Sequence, residues 1–340
     1  MNITKALFAV VILLFGSNAS MAASEEANLY SARKEALIKP LLDQFTRETG
    51  IKVNLVTGKA DALLKRLQSE GANSPADLLI TTDSGRLHRA HSAGLLQQVK
   101  SEKLNTVVPP HLRNPEGYWF GLSVRARPIF YAKDRVKPEE LSTYEALTDK
   151  KWKGRICIRS SNNIYNQSLV ASMIAHNGAE ATQQWADAFV GNFARPPKGG
   201  DRDQIKAAAA GQCDIAIANT YYYGGMLISG DDAQIKAANS VAIFWPNQDG
   251  RGTHVNVSGV GVTKAATNRE NAIKLIEFLV SPESQLWYAE ANNEYPVVEG
   301  AGTSEILKSW GDFKPDNLSL ARLGELNADA VRLMDRAGWR

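Results

Sequence analysis

Three consecutive tyrosines, Tyr221, Tyr222 and Tyr223, follow an apolar run at Ile215, Ala216, Ile217 and Ala218. A phenol is neutral at pH 7, because its ordinary pKa is about 10. A trivalent cation beside it lowers that value, since the local charge favours the anion. Hard oxygen anions suit hard cations, and tyrosinate is an established iron ligand. Adjacent phenols therefore suit one Fe(III). The competing reading is a packed aromatic cluster, because three exposed rings would leave a large apolar area in water. If the tyrosines open a helix, successive side chains point about 100° apart. Two of them then face one ion and the third does not. Tyr165 is a further candidate, since it begins a predicted helix in a stretch rich in Ser and Asn.

The apolar run before the triplet reads as a buried strand, and Asn219 and Thr220 as turn and N-cap residues. The tyrosines then lie at the carboxyl end of a strand, where open α/β sheets bind ligands. Earlier in the chain, residues 28–31, 51–56 and 77–81 read as strands. Residues 33–49, 61–70 and 85–93 read as helices between and after them. Leu37, Leu41, Leu42 and Phe45 give the first helix one apolar face. This alternation predicts a parallel sheet covered on both faces. Further strands are expected at 120–124, 128–131, 241–245 and 255–262, and helices at 165–175, 183–190 and 271–280. The fold class is α/β: two lobes forming a hinged clamp, each a mainly parallel sheet flanked by helices. Residues 23–124 and 246–288 are assigned to the first lobe, and 125–245 and 289–340 to the second. Two lobes around a cleft suit capture of a small solute.

The chain start reads as a secretory signal over residues 1–22: Lys5, an apolar core at 6–15, then small residues. No other segment approaches a membrane-spanning length. The mature chain of nearly 320 residues is long enough for two cores. The net charge of +3, from 39 basic and 36 acidic residues, gives no argument for nucleic acid or a membrane surface. Two cysteines, Cys157 and Cys213, in an exported chain suggest one disulfide between neighbouring strands, with buried thiols as the alternative.

The sequence resembles the periplasmic ferric-iron-binding proteins, the solute-binding subunits of Fe(III) ABC importers also called bacterial transferrins. The resemblance spans nearly all of the mature chain. It rests on Asn28-Leu29-Tyr30-Ser31-Ala32-Arg33, Pro75-Ala76-Asp77-Leu78-Leu79-Ile80-Thr81 and Gly121-Leu122-Ser123-Val124-Arg125-Ala126-Arg127. Ser161-Asn162-Asn163-Ile164-Tyr165-Asn166, Ala218-Asn219-Thr220-Tyr221-Tyr222 and Val257-Ser258-Gly259-Val260-Gly261-Val262 complete it. It implies the two-lobed periplasmic binding-protein fold of type II, with iron held by Tyr165, Tyr221 and Tyr222. Tyr223 is read as packing. Many family members carry a histidine just after the Ser-x-Arg turn, where Lys34 and Glu35 stand here. Either Glu35 supplies a carboxylate, or the first lobe supplies no ligand and carbonate completes the shell as a synergistic anion. For that anion the resemblance points to Arg33 and Arg125, with Arg127 in reserve. Asp83 lies near an acidic family position but off register.

The resemblance also implies a monomer that hands iron to an inner-membrane ABC permease and its separate ATPase. The leading rival is a two-lobed binding protein for another small solute, such as an anion or a polyamine. An exported enzyme is the other rival. The sequence shows no Gly-x-Ser-x-Gly elbow, no His-Glu-x-x-His and no Gly-x4-Gly-Lys loop. The expectation is a non-catalytic carrier.

Overall fold

The computed structural model describes residues 25–340. The expected signal segment, 1–22, lies outside the described residues. The chain begins as β1 (Glu26–Ser31), a helix (Glu35–Thr49), β2 (Lys52–Thr57), a helix (Ala60–Glu70) and β3 (Leu78–Thr82). Ile38, Leu41, Leu42 and Phe45 form the buried face of the first helix. Gly50 ends it at φ +75°, where a side chain would be strained. The next strands are β4 (Phe120–Ala126), β5 (Ile129–Ala132), β6 (Ile156–Cys157) and β7 (Ile215–Ile217). They are followed by β8 (Val241–Phe244), β9 (Val255–Val262) and β10 (Tyr295–Pro296).

These strands form two sheets, one in each lobe. The six-stranded sheet has the order β10-β4-β9-β3-β1-β2, and the four-stranded sheet β6-β7-β5-β8. Between β4 and β5, at Arg127 and Pro128, the chain passes from the first sheet to the second. It returns between β8 and β9. Arg127 donates its N–H to the carbonyl of His254 at 3.0 Å, so the two crossings lie side by side.

Both sheets are mixed, which corrects the expectation of mainly parallel ones. Among the ten strands of the described residues, only β1 with β2, β1 with β3 and β6 with β7 pair in parallel. Strand–helix alternation enforces parallel pairing, and it operates within β1–β3. Strands β4 and β9 arrive by crossing between lobes, and both pair antiparallel. A second difference concerns residues 289–340, expected in the second lobe. Strand β10 pairs with β4, so Tyr295 and Pro296 belong to the first sheet.

β4 and β9 approach closely at the centre of the first sheet. A Cβ on Gly259 would stand 2.6 Å from the carbonyl oxygen of Phe120 and 2.7 Å from Leu87. Backbone cannot yield as a flexible side chain does. Gly259→Ala is therefore expected to lower stability by about 1–3 kcal/mol, read as a lower midpoint in denaturant unfolding with an unchanged slope. No helix among the described residues is long and apolar enough to cross a membrane.

Candidate metal centre

Two helix starts in the second lobe bring the phenols together. The helix Ile164–Asn177 is capped by Asn163, whose side chain accepts the N–H of Tyr165 at 3.1 Å. Tyr165 therefore sits in the first turn. The helix Thr220–Leu227 follows β7 after Asn219, which puts Tyr221 and Tyr222 in its first turn. The Tyr221 hydroxyl donates to the Tyr165 hydroxyl at 3.1 Å. The rings of Tyr221 and Tyr222 lie 4.3 Å apart. Tyr223 turns the other way and is buried against Phe130 and Trp310, with ring centroids 5.1 and 5.7 Å away. One helical turn thus offers two phenols to the cleft and the third to the core.

Guanidinium groups surround these rings. Arg125, Arg127 and Arg159 lie 5.5, 5.9 and 5.6 Å from the centroid of Tyr165, and Arg202 lies 5.1 Å from that of Tyr222. Despite them, burial drives the Tyr221 hydroxyl well above the ordinary phenol range, and the neighbouring Tyr165 and Tyr222 push it further. Burial, with Tyr165 and Asp201 adding to it, pushes Tyr222 up to about 12. The unliganded site therefore holds neutral Tyr221 and Tyr222 at pH 7. A strongly charged cation is needed to expel their protons. Among the described residues, no group of three His, Cys, Asp or Glu side chains could hold a metal, so the phenols are the candidate ligands.

The two arginines expected to hold an anion occupy different places. Nη2 of Arg33 donates to Ser123 at 2.6 Å and to Glu294 at 2.7 Å, and its guanidinium covers the Tyr288 ring. A buried carboxylate of this chain already neutralises it, and its Nε alone is buried without a hydrogen bond. Arg125 lies beside Tyr165; its Nη1 donates to Ser258 at 3.2 Å, and its Nη2 is 3.6 Å from Asp83. Nε and Nη2 of Arg125 are buried without a hydrogen-bond partner. Arg127, the reserve, is committed to Asp201, Asn219 and Asn166.

Glu35 is exposed in the first turn of its helix, its side chain has no hydrogen bond or ion pair among the described residues, and it is not among the groups gathered round Tyr165 and Tyr221. Asp83 is fully buried and accepts from Gly85, Ser168 and Asn256 at 2.8–2.9 Å. A cavity of ≈ 10 Å³ lies among Asp83, Arg125, Arg127, Tyr165, Asn219, His254 and Asn256, room for about one water. Burial holds the His254 imidazole neutral, its pKa pulled down to about 3.

Cys157 and Cys213 are joined as a disulfide, Cα atoms 5.9 Å apart. The bond ties β6 to the start of β7, the two strands that lead to the tyrosine-bearing helices. Glu294 and Asp201 were missed from sequence. Glu294 meets Arg33 across 261 positions, and nothing local to Asn292-Asn293-Glu294 marks it as buried.

Two lobes joined by paired crossings, with converging polar groups where they meet, define a clamp for a small solute. The chain belongs to the bacterial extracellular solute-binding protein family, which its residues 41–315 match. Iron uptake protein A1 of Synechocystis sp. is 56% identical over 316 residues, covering 93% of this chain and 88% of that protein. A Trichodesmium structure in complex with iron and citrate superposes with a TM-score of 0.91 at 54% identity, over 93% of this chain and 100% of that one. The ferric binding protein from Campylobacter jejuni gives a TM-score of 0.87 at 39% identity, over 92% and 100% of the two chains.

Proposed function

We propose that this protein captures Fe(III) in the periplasm through the phenolates of Tyr165, Tyr221 and Tyr222 and delivers it to an inner-membrane ABC permease served by a separate ATPase. The observation that carries the reading is the 3.1 Å approach of the Tyr165 and Tyr221 hydroxyls, with the Tyr222 ring 4.3 Å from that of Tyr221. Relatives named for iron uptake and ferric binding support the choice of metal. The protein acts as a monomeric carrier, exported by its signal segment, and binds without catalysis.

Charge counting supports an anion beside the metal. Three phenolates neutralise Fe(III). The surrounding Arg125, Arg127, Arg159 and Arg202 stand against two carboxylates, Asp83 and Asp201. Two positive charges remain, which suits a dianion such as carbonate. Arg125 is the residue assigned to hold it, because its Nε and Nη2, which make no hydrogen bond, match the planar geometry of such an anion. Arg33 is assigned to support it less directly, through Glu294. Glu35 is left without a ligand role. A larger hydroxycarboxylate is the alternative anion, since the Trichodesmium structure holds citrate with its iron.

Metal capture must release phenol protons. With Tyr221 and Tyr222 protonated before binding, each phenolate–iron bond liberates one proton. Affinity therefore rises with pH and falls in acid. The limiting slope for three phenols is about 10³-fold per pH unit. Titration of the stripped protein with Fe(III) in weakly buffered solution should release close to three protons per ion from the protein. Tight Fe(III) binding with no proton release would reject phenolate ligation.

A further inference from the structure

The two tyrosine-bearing helix starts are tied to one buried carboxylate outside the phenol cluster. Asp201 is 1% exposed and opens the helix Asp201–Ala209. One of its oxygens accepts the backbone N–H of Asn219 at 2.7 Å and Nη1 of Arg127 at 3.0 Å. The other accepts Nη1 of Arg159 at 3.1 Å. Arg127 extends the network, donating to the side-chain oxygens of Asn219 at 2.8 Å and Asn166 at 2.6 Å. Asn166 in turn donates to the carbonyls of Arg159 and Ser160. Asn166 adjoins Tyr165, and Asn219 lies two residues before Tyr221. Asp201 and Arg127 together therefore link the two helix starts whose hydroxyls lie 3.1 Å apart, and Asp201 holds Arg127 in place.

Charge gives Asp201 a second task. Arg127 and Arg159 lie 5.9 and 5.6 Å from the Tyr165 ring, yet neither donates to a phenol oxygen. Asp201 holds one nitrogen of each. Without its charge, two guanidiniums would be left in a largely buried place with no carboxylate partner. Both lie beside the Tyr165 ring, and a phenolate bonded to a guanidinium is a poorer ligand for a cation.

We propose that Asp201 is a positioning residue of the cation site: it sets the spacing of the two helix starts and keeps Arg127 and Arg159 off the phenol oxygens. The proposal rests on Tyr165, Tyr221 and Tyr222 being the ligands.

The test compares Asp201→Asn with the double variant Asp201→Asn/Arg159→Gln in the full mature chain. The double variant has the same net cluster charge as the native protein and can keep its hydrogen bonds. Asp201→Asn is expected to lower Fe(III) affinity about 10–100-fold and to weaken the phenolate-to-iron absorption band. The double variant is expected to regain at least tenfold of a 100-fold loss, with the band restored. Native affinity and a native band in Asp201→Asn would overturn the proposal. So would a loss that the double variant does not recover. A native chain that binds no Fe(III) would instead reject the proposed function. Positioning would then be read from amide hydrogen exchange. Exchange at Asn219–Tyr222 should speed up at least tenfold in Asp201→Asn, with the helix Glu35–Thr49 unchanged; unaltered exchange at Asn219–Tyr222 would overturn it.

Discussion

Tyr221→Phe is expected to cost at least ~10³-fold in Fe(III) affinity, equivalent to about 4 kcal/mol, while leaving the fold intact. Tyr221 is the phenol in direct hydrogen-bond contact with Tyr165 and in ring contact with Tyr222, so it stands at the centre of the proposed ligand set. Phenylalanine keeps the ring and its packing. It removes one anionic oxygen, leaving two phenolates against a trivalent ion in a pocket already rich in guanidinium groups. Only one neutral hydrogen bond is lost from the folded protein, a change of about 1 kcal/mol in stability. Tyr222→Phe should act in the same direction. Tyr223→Phe is the control, because Tyr223 packs on Phe130 and Trp310 and should leave affinity within about twofold. Equilibrium competition against citrate reads all three. Native affinity in Tyr221→Phe, or an equal loss in Tyr223→Phe, would remove the assignment of Tyr221.

The second large effect concerns the disulfide. Cys157 and Cys213 are 56 positions apart, and closing a loop of that size restricts the unfolded chain. The chain-entropy relation gives about 4 kcal/mol for it. Both cysteines are buried, at 1% and 3% exposure, so the pair also belongs to the packed interior of the second lobe. The double substitution Cys157→Ser/Cys213→Ser should lower the unfolding free energy by about that amount in denaturant titration. It should also make the second lobe the first part to lose amide protection. A loss below about 1 kcal/mol would show that the bond adds little to what β6 and β7 already provide.

Local features were legible in the sequence. The strand before Asn219 and the first-turn placement of Tyr221 follow from an apolar run ended by turn and capping residues, all within a few positions. The buried face of Glu35–Thr49 follows from helical spacing. Pairing at long range was not legible. Strand direction can be inferred only where a helix links consecutive strands, so the mainly parallel expectation fails at β4 and β9, and residues 295–296 pair into the first sheet although 289–340 were expected in the second lobe. The arginines show the same limit. Arg33, Arg125 and Arg127 are equivalent as cations in the sequence, yet Glu294 occupies the first, Asp201 occupies the third, and Arg125 alone keeps two buried nitrogens without a hydrogen bond. What separates them is the position of a carboxylate far away in the chain.

A visible absorption titration of the chelator-stripped mature protein with ferric citrate, with and without bicarbonate, separates Fe(III)–tyrosinate binding from capture of another solute. A broad phenolate-to-iron band saturating at one equivalent of iron is expected. Bicarbonate should strengthen or shift this band, through Arg125. A band indifferent to bicarbonate would contradict the carbonate assignment and favour citrate as the accompanying anion. No band at all would contradict Fe(III)–tyrosinate binding and leave a clamp for a different small solute.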